Sequence, residues 1–102
     1  MELKLALKVN DLDNVATLFA NAVRDGDEVE IRDKKGGRDH VKVRGDVPYG
    51  HKIATRDIHV GEDIVKYGEE IGIATHEIAR GDYVHVHNLD SKRGRGDWKE
   101  GR

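Results

Sequence analysis

A short pattern that recurs three times constrains this fold more than any other feature of the sequence. It runs aliphatic, two residues, glycine, acid, any residue, aliphatic, and it occurs at 23–29, 58–64 and 78–84. The first aliphatic residue can anchor the chain in a core, and glycine permits a tight turn. The acid can accept hydrogen bonds from turn amides, and the second aliphatic residue begins the next strand. Three such corners predict a compact β fold of strand–turn repeats with approximate two-fold symmetry.

Alternation of apolar and polar residues predicts strands around these corners. Residues 3–9, 28–32 and 41–44 place apolar side chains at every second position, the period of a half-buried strand. The polar run 33–39 contains a pair of adjacent glycines, which favours the tip of a β-hairpin.

One segment has helical rather than strand spacing. An apolar stripe at i, i+3, i+4, i+7 and i+8 is formed by Val15, Leu18, Phe19, Ala22 and Val23, as on one face of a short helix. Asp11 and Asp13 precede it and can cap its first turn. The predicted fold class is therefore mainly β with one short helix.

Length and composition leave room for one domain. The chain has 102 residues, within the usual size of a single domain. Residues 1–90 are expected to form it. Residues 91–102 are rich in charge and have only Trp98 to bury, which predicts a flexible charged tail.

Charge and residue usage exclude several classes of protein. The 18 basic and 20 acidic residues give a net charge of −2, which argues against a nucleic-acid-binding protein. Cysteine is absent, so disulfides, zinc–thiolate sites and thiol nucleophiles are excluded. No apolar run is long enough to cross a membrane, and the first residues do not form a signal peptide. We expect a cytoplasmic protein with neither a nucleic acid nor a membrane as partner.

Three short motifs, in order and spacing, indicate a family. Gly50-His51-Lys52, Lys66-Tyr67-Gly68 and His85-x-His87-Asn88 are the most specific parts of a resemblance that covers roughly residues 1–97. Over this length the chain resembles the SAF-type (antifreeze-like, β-clip) domain at the N-terminus of the altronate and galactarate dehydratase family. It is also similar to the small subunit of sulfolactate sulfo-lyase.

The resemblance implies a compact β-clip fold and a role as a lyase subunit, or as the N-terminal domain of a lyase. It implies dehydration of an anionic sugar acid to a 2-keto-3-deoxy acid. It also implies a large catalytic subunit that holds a divalent metal, commonly iron, with no metal site on this chain. We expect the chain alone to be inactive.

His51 is the strongest catalytic candidate. Pro48 and Gly50 constrain the chain around it, which can present the imidazole at a loop edge as a general acid or base. Lys52 would then bind a substrate carboxylate. The alternative is a surface histidine and a solvated lysine.

His85 and His87 lie two residues apart on an apparent strand, so that both would point to one face, with Val84 and Val86 on the other. A histidine pair on one face can hold a divalent metal but usually needs a third ligand, which His51 or a partner residue could supply. Participation in a substrate site shared with the large subunit is the other possibility, and a plain polar strand face the third.

The remaining substrate-binding candidates are single polar residues. Asn88 can bond a substrate hydroxyl or cap a turn, and Arg56 and Lys66 can attract an anion or serve as ordinary surface charges. A different class of function also stays open: a non-enzymatic carbohydrate-binding or assembly module, because one fold hosts many functions.

Overall fold

The structure, a computed structural model, describes residues 4–21 and 23–91. These residues form nine strands: β1 (Lys4–Leu7), β2 (Val15–Leu18), β3 (Glu28–Arg32), β4 (Arg38–Lys42), β5 (Lys52–Ala54), β6 (Asp63–Lys66), β7 (Glu69–Ala74), β8 (Tyr83–Val84) and β9 (Leu89–Ser91). The predicted mainly β fold is confirmed. In this part of the chain there is no helix of the length and apolarity needed to cross a membrane.

The strands form two sheets. The larger has the order β4-β3-β1-β2-β5-β8, and the smaller has the order β6-β7-β9. β1 and β3 are parallel, whereas the other neighbouring strands are antiparallel. Two apolar cores are present, and β2 and β5 contribute to both. Ala16, Leu18 and Ile53 belong to the first core, and Val15 and Ala54 belong to the second.

The three predicted corners share one hydrogen-bonding scheme. Their glycines, Gly26, Gly61 and Gly81, have φ of 89°, 88° and 92°, the left-handed region that a side chain rarely adopts. The following acid accepts a hydrogen bond from the amide three residues before it, at 2.8, 2.7 and 2.8 Å respectively. The side chain of the acid therefore closes each turn with a hydrogen bond to the main chain.

Corners two and three pack against each other with approximate two-fold symmetry. Ile58 and Ile78 exchange two main-chain hydrogen bonds, of 2.8 and 2.9 Å. The acid that precedes each of them bonds a turn amide of the other corner, Asp57 to Arg80 at 2.9 Å and Glu77 to Val60 at 3.0 Å. The symmetry inferred from the repeat is thus realised in reciprocal contacts.

The helix expected at residues 15–23 is wrong for the residues described. β2 occupies Val15–Leu18, and all four of its residues are buried. A strand buried on both faces shows no alternation, so its apolar residues matched helical spacing. Asp13 does not cap a helix: its carboxylate accepts hydrogen bonds from the amides of Val9 and Asn10, both at 3.0 Å, and of Gly68 at 2.7 Å.

Asn14 ties the two sheets together. It is 1% exposed, and its side chain donates to the carbonyl of Asp63 at 2.9 Å and accepts from the amide of Val65 at 2.8 Å. Burial of an amide side chain is tolerated because both ends are paired. The β6–β7 hairpin is thereby held against the larger sheet.

The expected flexible tail lies almost wholly outside the described residues. Ser91 is the last residue of β9, and residues 92–102 are not among those described. The tail and the domain boundary stay predictions.

Candidate functional site

The segment 47–51 forms a fourth corner that departs from the other three at two positions. Gly50 has φ of 81°, and the amide of His51 bonds the carbonyl of Pro48 at 3.2 Å, as in the other turns. Val47 bonds Val23 of the first corner at 2.9 Å, which pairs the first and fourth corners. The departures are proline in place of the amide donor and histidine in place of the acid.

These two departures belong together physically. In the other corners the acid bonds the amide at the position that Pro48 occupies here. Proline has no N–H, so an acid at position 51 would find no donor there. His51 is therefore released from the structural task of the corner, and its ring is available for other contacts.

The ring of His51 contacts Tyr83. This tyrosine follows the acid of the third corner and pairs with Ile53 on β5, the strand that follows the fourth corner. Its hydroxyl lies 2.6 Å from Nδ1 of His51. The tyrosine is half-buried and packs against the first core, and this burial raises the pKa of Tyr83, which keeps the hydroxyl protonated.

His85 and His87 surround the same tyrosine, although not as a strand. β8 ends at Val84, so the prediction of alternating faces through residue 87 is wrong, and residues 85–88 form a turn instead. The His85 ring stacks on Tyr83 with centroids 5.6 Å apart and planes 10° apart. The His87 ring lies 5.4 Å from Tyr83, and His51 and His85 are 4.7 Å apart.

Asn88 holds this turn in place. It is 7% exposed, its side-chain oxygen accepts the amide of His85 at 3.0 Å, and its nitrogen donates to the carbonyl of Tyr83 at 3.0 Å. Of the two roles left open by the sequence, these contacts are those of a turn cap. Asn88 therefore fixes the main-chain positions from which the His85 and His87 side chains extend.

Lys52 lies near His85, and Lys66 lies near Lys52. Burial lowers the pKa of Lys52, and the nearby Lys66 lowers it further. The Lys66 ammonium lies 5.1 Å from the ring centroid of Tyr67, whose hydroxyl is 3.4 Å from that of Thr17. Thr17 in turn pairs with Lys52 across β2 and β5. Among the described carboxylates, none forms an ion pair with either lysine.

Basic groups shift the pKa values of two members of this imidazole–lysine cluster (His51, Lys52, Lys66, Tyr83, His85 and His87). Burial lowers the pKa of His85, and so do His51, Lys52 and His87. Besides burial, the groups that shift the pKa of His85 and of Lys52 are other basic residues. An arrangement of this kind is stabilised by an anionic ligand, to which it offers charge-assisted hydrogen bonds.

A cavity adjoins the cluster. It has a volume of about 560 Å³ and is lined in part by Tyr83, His87 and Asn88. The other lining residues include the basic Arg44 and three acids, Asp46, Glu77 and Asp82. Arg44 is bonded to Asp82 at 3.1 Å. The volume lies in the range of small-molecule sites.

Arg56 lies apart from the cluster. Its guanidinium contacts Glu62 at 3.3 Å and the carbonyl of Asp57 at 2.9 Å. It lines a different cavity, of about 540 Å³, that also contains Lys8 and Arg38. Its predicted contact with substrate has no geometric link to the imidazoles.

The part of the chain that the structure describes has no metal site of its own. Within residues 4–21 and 23–91, no group of three or more histidine, aspartate or glutamate side chains is placed to bind one ion. The three imidazoles each contact Tyr83, and the rings of His51 and His85 also contact each other.

Sequence reasoning missed Tyr83. The sequence signal was limited to the position of Tyr83 two residues before His85, because its contact with His51 depends on the pairing of β5 with β8. The role of Pro48 was readable, since the fourth corner keeps the aliphatic and the glycine of the repeat but has proline where the turn amide should be.

Comparison with known proteins gives consistent relatives. The family described as "Altronate/galactarate dehydratase SAF domain" matches residues 4–92. Altronate dehydratase of Escherichia coli K12 is 42% identical over 82 residues, which are 80% of this chain and 15% of that protein. Altronate dehydratase of Bacillus subtilis is 37% identical over 92 residues, which are 84% of this chain and 16% of that protein.

A further relative is a separate subunit rather than part of a long chain. The (2R)-sulfolactate sulfo-lyase subunit alpha of Chromohalobacter salexigens is 42% identical over 52 residues, covering 51% of this chain and 55% of that protein. This chain therefore spans a small part of the dehydratases and about half of the sulfo-lyase subunit.

Proposed function

Because the chain belongs to the altronate/galactarate dehydratase SAF-domain family, we propose that it completes the active site of a lyase that acts on an anionic sugar acid. A larger partner would carry the main catalytic region. The relatives support this arrangement in two forms, since the match is 15% of a dehydratase in one case and part of a named subunit in another.

The observation that carries the proposal is the imidazole–lysine cluster. It gathers His51, His85 and His87 around one tyrosine. Lys52 acts on His85 as one more positive group, and the described residues supply no acid that pairs with either lysine. A carboxylate ligand would bring the missing negative charge.

Each group has a role in elimination. His51 exchanges a proton with the substrate, as a general base at the carbon next to the carboxylate or as a general acid at the departing group. Lys52 and Lys66 bind the carboxylate and stabilise the charge that grows on it when the proton leaves. His85, whose lowered pKa favours the neutral ring, and His87 donate hydrogen bonds to substrate oxygens.

The partner would hold any divalent metal, which we expect to be iron, and the metal when bound would stabilise the enolate-like intermediate. Residues 4–21 and 23–91 contain no group of three or more possible ligands placed to hold one ion, so we assign to them binding, orientation and proton transfer.

Reconstitution tests the proposal. The chain is co-purified with a dehydratase-like large subunit, and altronate, galactarate and sulfolactate are assayed with the chain, the partner and the complex. We expect turnover only by the complex, with release of water or of sulfite identifying the substrate class. Turnover by the rigorously purified chain alone, or full turnover by the partner without it, would show that the site is not shared. Carbohydrate binding without any partner would favour a non-enzymatic binding module.

A further inference from the structure

We infer that Tyr83 is the positioning residue for His51: its hydroxyl holds Nδ1 and so presents Nε2 to the ligand in either protonation state of the imidazole. This inference rests on the proposed function and assigns a task to a residue that no motif marked.

The tyrosine is itself held firmly. Its main chain pairs with Ile53 on β5, its ring packs against the first core, and His85 stacks on it with planes 10° apart. A hydroxyl carried by a ring fixed on several sides has little freedom to move. The 2.6 Å contact with Nδ1 therefore restricts the rotation of the His51 ring, not that of Tyr83.

The contact selects which nitrogen reacts. The two nitrogens of an imidazole point away from each other, and each can hold or release a proton. With Nδ1 occupied by Tyr83, Nε2 is the atom left for a ligand. His51 is free to make this contact with Tyr83 because Pro48 offers residue 51 no turn amide to bind.

A hydroxyl partner has a property that a carboxylate lacks. It donates to Nδ1 when that nitrogen is bare and accepts from Nδ1 when that nitrogen is protonated. Neutral and protonated His51 are therefore both satisfied without a change of ring orientation. Since burial raises the pKa of Tyr83, the hydroxyl keeps its proton and can either donate to Nδ1 or accept from it.

This versatility suits elimination of water by one imidazole. Nε2 takes the proton from the carbon next to the carboxylate, and the released electron pair forms a carbon–carbon double bond as the neighbouring carbon–oxygen bond breaks. The proton on Nε2 then passes to the leaving oxygen, which departs as water. The enol left behind becomes the 2-keto acid, and His51 returns to its neutral state. Tyr83 stays hydrogen-bonded throughout.

Tyr83→Phe tests the inference, because it removes only the hydroxyl and keeps the ring that packs on the core. Tyr49→Phe is the matched control, since Tyr49 is exposed and contacts Phe19 through its ring. The first readout is the ¹⁵N spectrum of the His51 ring in the 102-residue chain over a pH titration. Tyr83→Phe should shift the Nδ1 signal of neutral His51 toward that of a nitrogen without a donor, whereas Tyr49→Phe should not.

The second readout is turnover by the complex with the large subunit. Tyr83→Phe should lower kcat by about 3–10-fold, as loss of one hydrogen bond predicts, with KM nearly unchanged. An unchanged Nδ1 signal would overturn the inference whatever the kinetics. A shifted Nδ1 signal with unchanged kcat, in an enzyme that His51→Ala slows, would also overturn it. If His51→Ala does not slow the complex, the proposed function fails as well.

Discussion

The pairing of proline with histidine in the fourth corner can be measured as a coupling energy. In the other three corners the acid accepts the turn amide at 2.7–2.8 Å. Pro48 removes that amide, so His51→Asp should gain little from the corner in the natural background. With Pro48→Ala also present, the donor returns and the introduced carboxylate can bond it. The gain from His51→Asp should therefore depend on residue 48.

The magnitude follows from the bond that is restored. A typical hydrogen bond contributes about 0.5–1.5 kcal/mol net, and two of the three acid–amide bonds are exposed, so we expect a coupling of about 1 kcal/mol. Loss of proline rigidity and loss of the Tyr83 contact occur in two of the four proteins each, and both cancel in the double-mutant cycle.

Urea unfolding of the natural chain, the two single variants and the double variant gives the four free energies. At m of about 1–3 kcal/mol/M, a coupling of about 1 kcal/mol corresponds to a midpoint difference of about 0.3–1 M. A coupling below about 0.3 kcal/mol, within the range of independent sites, would refute the argument that Pro48 releases residue 51.

Three further predictions concern single contacts. Gly81→Ala should destabilise the fold by about 2–5 kcal/mol in urea unfolding, because its Cβ would meet the last carbonyl oxygen of β4 at 2.4 Å in addition to the strain of positive φ. Gly26→Ala, with open space around the Cβ, should cost about 1–2 kcal/mol; equal losses would contradict the geometry. Lys52→Gln should raise KM of the complex for its acid substrate by about 10–100-fold, the value of a charge-assisted hydrogen bond, and an unchanged KM would remove Lys52 from the site. Glu77 raises the pKa of His59, and a main-chain amide together with His59 lowers the pKa of Glu77. The stabilisation of the fold by the His59–Glu77 pair is lost when pH rises through the raised pKa of His59 or falls through the lowered pKa of Glu77. His59→Gln should therefore lower Tm more at about pH 5.5 than at about pH 8.5. The reverse order would show that the pair does not stabilise the fold.

The corners were predictable because their chemistry is local. Gly26, Gly61 and Gly81 each need positive φ, and the acid that follows each one bonds an amide within the same turn. All of this lies within five residues of sequence. The failed helix shows the opposite case, since burial of Val15 and Leu18 on opposite faces of β2 depends on strands far away in the chain.

The candidate site also combines features that the sequence predicts with features that depend on distant contacts. His51, His85 and His87 were singled out as functional candidates by type and motif, but that they contact one another through Tyr83 depends on the pairing of β5 with β8. The turn at residues 85–88 was mistaken for a strand because Val84 and Val86 alternate with histidines. Asn88 caps this turn and so ends the strand before His85. Its residue type is compatible with this role, but the apolar periodicity does not indicate it.

Turnover by the verified complex with His51→Ala in this chain tests the central claim most directly. His59→Ala is the control, because it removes another corner imidazole that lies outside the imidazole–lysine cluster. We predict that His51→Ala keeps the fold and the assembly but lowers kcat by about 10²–10⁴-fold, as for a positioned acid or base, while His59→Ala leaves kcat nearly unchanged. Near-normal turnover with His51→Ala in an intact complex would contradict the claim that this domain contributes to the chemistry.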